Sequence, residues 1–146
     1  MRSKNLGRYI CVFVGFVSVG IGIFFIYFRP PLLPEDLVFI GIDQNIEHLV
    51  PRLGEWLKNV FTVLGGFIAA VGILKLSLAR VLQSSIALVS WFVAWLFSSA
   101  LMSFINFKIS SNFKWQLFSL AIIELVGICA VWISMRTKNG MINGKY

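Results

Sequence analysis

Apolar residues in this chain come in four long blocks rather than in alternation or on one helical face. The first runs from about Tyr9 to Phe28 (YICVFVGFVSVGIGIFFIYF) and holds no charge. The others cover about 56–79, 84–107 and 113–135. A helix rises about 1.5 Å per residue, so each block matches the roughly 30 Å hydrocarbon layer of a bilayer. Arg29-Pro30-Pro31 ends the first block, since proline cannot continue a helix. The pattern predicts an all-α fold: a single transmembrane domain over 1–146, built as a four-helix bundle with a partly ordered outer loop between the first and second helices.

Composition agrees. Hydrophobic residues make up 58% of the 146 and charged residues only 13%, against about 25% charged in a typical soluble domain. With four blocks assigned to lipid, too little chain remains for a second, soluble core. The apolar run after Arg8 is too long for a signal peptide and lacks a small-x-small cleavage site, so it reads as an uncleaved helix.

The net charge of +7 fits orientation signals rather than nucleic-acid binding, because the basic residues are divided between tails and short loops. Arg2, Lys4 and Arg8 precede the first helix, Arg80 lies between the second and third, and Arg136, Lys138 and Lys145 follow the fourth. Basic residues on both tails and an even number of helices place both termini in the cytoplasm and the chain in the cell membrane. Five of the six acidic residues (Glu35, Asp36, Asp43, Glu47 and Glu55) fall in the outer loop. Asp43 is placed to cap a short helix carrying Ile46, Leu49, Val50 and Leu53, which Pro51 would break. That segment reads either as an amphipathic piece at the outer interface or as a plain packed loop. The tail from Arg136 to Tyr146 reads as mobile.

Within the second block, Gly65, Ala69 and Gly72 share a face on which a neighbouring helix can approach closely, and Gly15, Gly20, Gly22 and Gly66 read the same way. Lys75, near the inner end, is expected to snorkel to the headgroups. Ser90, Ala94 and Ser98 form a small-residue stripe in the third block, with Trp91 and Trp95 on an adjacent strip. Cys11 and Cys129 read as buried small hydrophobes that do not pair.

Glu124, in the middle of the fourth block, is the main candidate for chemistry. An ionised carboxylate at the bilayer centre costs about 2.5–3.5 kcal/mol on insertion scales, so it must face the interior, take a proton or find a partner. Ser18, Thr62, Ser98 and Ser99 lie at matching depth, while Lys75 is assigned to the surface. The sequence therefore predicts a neutral, hydrogen-bonded Glu124. Three roles stay open: glue between helices, the lining of a pocket with Trp91, Trp95 and Ser98, or a proton relay. His48 beside Glu47 is too isolated for a metal site, and no cofactor is implied. Glu35 and Asp36 are adjacent but sit on a proline-flanked loop, and no nucleophile–base pair, HExxH or Walker motif occurs. Catalysis is not indicated.

The stretch LGEWLKNVFTVLGGFIAAVGIL, from Leu53 to Leu74, with its amphipathic lead-in, Gly-Gly pair and small-residue helix, resembles small bacterial four-helix membrane proteins of the DoxX-like type. The resemblance covers about a fifth of the chain. It implies a four-helix fold and, for some members, a link to redox accessory subunits; it assigns no catalytic residue.

Two functions from different classes follow. In one, the protein is a non-catalytic accessory or structural subunit, with the lipid bilayer and a membrane protein partner or second copy around it. In the other, an intramembrane cavity around Glu124 binds or moves a lipid-like molecule. The first expects Glu124 packed against hydroxyls; the second expects it to face empty volume beside Trp91 or Trp95.

Overall fold

The computed structural model describes residues 3–41 and 50–143. The described residues are helical with no strand. They form α1 (Ser3–Tyr27), the short α2 (Pro34–Ile40), α3 (Leu53–Leu78), α4 (Ser85–Lys108) and α5 (Lys114–Asn143). All but α2 are long and apolar enough to cross a membrane.

Local chemistry sets the breaks. After α1, the amides of Phe28 and Arg29 both turn back to Phe24 O, at 2.8 and 2.9 Å, before the prolines. In α2, Pro34 opens the helix, where a missing N–H costs nothing. The Leu33 amide donates to the Asp36 carboxylate at 2.9 Å. Gly41 ends α2 in the left-handed region, φ 74°, which glycine adopts without Cβ strain. Ser84 caps α4 by accepting from the Ala87 amide at 3.1 Å.

α1 is the central helix. It lies against α3 over most of its length and against α5 nearer the chain termini, while α4 packs on α5. α3 approaches α4 mainly along the Ser85–Trp95 half, nearest the turn that joins them. The result is two antiparallel pairs, α1–α3 and α4–α5, tied together at the end that carries both termini. The buried core sits at that end: Cys11, Ala79, Leu82, Leu88, Trp91, Ile128 and Val131.

Glycine permits the α1–α3 contact. A Cβ at Gly22 would stand 2.7 Å from Gly65 O, and one at Gly65 would stand 2.7 Å from Gly22 O. One heptad along, a Cβ at Gly72 would meet Gly15 O at 3.0 Å. The hydrogens that occupy these positions point at carbonyl oxygens, a weak but recurrent attraction between close helices. Between α1 and α5, a Cβ at Gly7 would stand 2.8 Å from Gly127 O.

Several expectations are corrected. Gly20 and Gly66 have nothing near their Cβ directions, so they are not part of the seam. Ser90 is exposed; the inward strip of α4 is the tryptophan one. Cys129 is exposed while Cys11 is buried, and both are free thiols. The inward face of α5 runs through Ala121, Glu124, Ile128 and Val131, and Cys129 lies about 100° off it at 3.6 residues per turn. The tail is helical as far as Asn143. Extending an existing helix needs no new nucleation, and a single Gly140 costs only about 1 kcal/mol. In the outer loop the short helix is Pro34–Ile40. The helix expected from Asp43 through Ile46 and Leu49, and the Glu47–His48 pair, lie outside the described residues.

Candidate functional site: a closed ion pair inside the bundle

Glu124 on α5 and Lys75 on α3 have side chains only 0% and 1% exposed, and their charged atoms lie 2.7 Å apart (Lys75 Nζ to Glu124 Oε1). This overturns the expectation of a carboxylate with no cation at its depth. Depth counted along the helix places Lys75 one turn before Leu78, the last residue of α3. Side chains, however, lean toward their helix's N-terminus. For α3 that direction leads away from the α3–α4 turn and into the bundle. The long lysine arm covers the rest, so it reaches inward where snorkelling would take it out.

The hydrogen bonds around the pair form a closed set. Glu124 Oε1 also accepts from Trp91 Nε1 at 2.8 Å, and Oε2 accepts from the Ser99 hydroxyl. The Lys75 ammonium donates to Ser98 Oγ at 3.2 Å and Ser99 Oγ at 3.4 Å. Its three N–H bonds are thus matched by one carboxylate and two hydroxyls. Ser98 Oγ in turn donates its hydrogen bond to Ala94 O. Among the described residues, no buried side-chain polar atom lacks a partner. Removing two charges from water costs several kcal/mol per ion, and only such complete hydrogen bonding offsets it.

Local backbone brings the two serines together. At Leu96–Ala100, α4 widens into a π-helical turn, where the Leu101 amide bonds Leu96 O five residues back. The extra residue shifts the register after Trp95. Ser103, rather than Met102, then becomes the buried residue of the next turns. π turns of this kind are frequent at functional positions.

Of the residues named from sequence, Trp91 and Ser98 join Glu124. Trp95 stands one turn away and donates from Nε1 to Ala121 O at 2.9 Å, which fastens α4 to α5. Ser18 and Thr62 do not take part: each donates to the carbonyl four residues back, Val14 O and Lys58 O. Gly65, Ala69 and Gly72 lie on the α1 seam instead. Lys75 was the residue missed. Its signal was present, because it falls three residues after Gly72 on the edge of the packing face. A lysine there points into the bundle. Cys11 of α1 completes the surroundings, buried in the same cluster as Trp91.

A second polar knot lies at the far end. The Arg29 guanidinium stands 3.5 Å over the Phe61 ring and 5.3 Å from Phe25, and bonds the Asp36 carboxylate at 3.3 Å. Burial draws its pKa below the usual arginine value, with Asp36 opposing. This knot fixes α2 to the α1–α3 pair. Glu35 Oε1 reaches the Asn112 amide at 3.5 Å in the α4–α5 turn. Glu35 and Asp36 therefore hold loops.

No protein-family model, curated protein or solved structure matches this chain. The site must be read from its own geometry.

Proposed function

We propose that the chain is a multi-pass membrane protein with both termini cytoplasmic, and that it serves as a non-catalytic structural or accessory subunit of a membrane assembly. Its central polar cluster is an internal cross-link. The observation that carries this reading is the closure of the Lys75–Glu124 set. Every donor of the ammonium and both oxygens of the carboxylate are used on protein partners, and neither side chain is accessible. A ligand site would leave some of that capacity free, and a relay would continue to a further titratable group.

The outer surface supports the bilayer. Phe13, Phe16, Phe67, Leu74, Val89, Phe97, Val126 and Ile133 are all exposed. So large an apolar area is normal against lipid and untenable in water. Backbone hydrogen bonds are satisfied within each helix, as a hydrocarbon layer demands. Redox accessory subunits, the association that the DoxX-like resemblance implies, are one class of partner within this proposal.

Native mass spectrometry of the protein, gently extracted from its own membrane, tests it. A retained protein partner or a discrete homo-oligomer supports the subunit role. A retained small molecule or lipid of defined mass, lost on Glu124→Gln, would replace it with the cavity reading. Recovery of the chain in the soluble fraction would refute membrane insertion itself.

A further inference from the structure

We infer that Lys75 is a releasable latch: paired with Glu124 it is held inside the bundle against α4 and α5, and where Glu124 carries no charge the stranded ammonium withdraws and α3 parts from α4. The inference rests on the bilayer placement proposed above.

Three observations carry it. The first is where the two pairs touch. α3 approaches α4 mainly along Ser85–Trp95, beside their shared turn, and reaches Ser98 and Ser99 beyond it through the Lys75 side chain. The hydrogen bonds that cross from α3 to α4 or α5 all belong to the Lys75 ammonium, to Ser98, Ser99 and Glu124, among the described residues.

The second is the asymmetry of the pair. Without Lys75, Glu124 keeps Trp91 on Oε1 and Ser99 on Oε2, donors that suit a neutral or a charged carboxyl. Without the Glu124 charge, Lys75 keeps only neutral oxygen acceptors, and an ammonium with no counter-charge in an apolar interior is disfavoured.

The third is that Lys75 has a way out. It lies one turn from the end of α3, within reach of the headgroup layer by the snorkelling typical of lysine. Glu124 sits mid-helix and has no such exit.

The charged or titratable groups around the latch are few. α5 contributes Glu124, α3 contributes Lys75 and α1 contributes Cys11. α4 contributes only the neutral Trp91, Ser98 and Ser99. The π turn that carries both serines is the part of α4 suited to absorb the motion.

The test measures a distance across the far half of the bundle. Spin labels go on Val60 of α3 and Phe104 of α4, both exposed, in the Cys129→Ala background, with the chain in lipid nanodiscs. The parent is expected to give one narrow distribution. Glu124→Gln is expected to add a longer population, displaced by more than the parent's width. Lys75→Met/Glu124→Gln, which leaves no stranded ammonium, is expected to return to the parent distance.

A parent-like distribution in Glu124→Gln overturns the latch. So does equal opening in the double variant, which would show loosened packing instead. Should Glu124→Gln fail to fold, the parent is titrated toward acid on a Glu35→Gln background, which removes the carboxylate at Asn112. Reversible growth of the longer population supports the latch, and a constant distance until helix content falls overturns it. Failure of the parent to enter nanodiscs would sink the membrane reading.

Discussion

Lys75→Met removes the ammonium and keeps most of the arm's apolar volume. Breaking a buried ion pair from one side costs about 3–5 kcal/mol, because the other charge is left uncompensated. Glu124 retains Trp91 and Ser99, and hydrogen bonds to a charged group are worth about 1.5–3 kcal/mol each. The expected loss is therefore at the lower limit, about 3 kcal/mol. Lys75→Met/Glu124→Leu should behave differently. Apolar replacement of a buried pair is often neutral or stabilising by about 1–4 kcal/mol. The Trp91 N–H, left without an acceptor, takes back about 1–3 kcal/mol. Taking the middle of each range, the double variant should then lie within about 1 kcal/mol of the parent. Reversible unfolding in bicelles, followed by tryptophan fluorescence and run as a full double-mutant cycle, measures both. A Lys75→Met loss below about 0.5 kcal/mol, the usual size of an inconsequential surface change, would refute the cross-link. So would single-site losses that simply add, since coupled residues must deviate from additivity.

Trp91→Phe keeps the ring and removes the donor to Glu124 Oε1; it should cost about 1–3 kcal/mol in the same assay, whereas a donor of no importance would leave stability unchanged. Gly22→Val or Gly65→Val should separate α1 from α3, because a Cβ at either meets an opposing carbonyl at 2.7 Å. Gly20→Ala and Gly66→Ala, with open space around them, should be tolerated and gain about 0.5–1 kcal/mol from helix propensity; thermal denaturation in detergent ranks all four.

The four long apolar helices were legible in the sequence; the short α2 was not. Segment length, the prolines at 30, 31 and 34, and the scarcity of charge within each apolar block reflect constraints that act along a single helix: hydrocarbon thickness and the need to satisfy every backbone group internally. The seam was half legible. Gly65, Ala69 and Gly72 mark a close-packing face, but the pattern names no partner, and only the packed structure sets α1 there. The polar cluster belonged to the tertiary structure. Whether Lys75 reaches Glu124 depends on the lean of a side chain and the order of helices around α1. Whether Ser98 and Ser99 both face it depends on a π turn with no signature in the local residues. Those are relations between helices, and a one-dimensional depth scale assigns Lys75 to the surface because it treats every side chain as perpendicular to its axis.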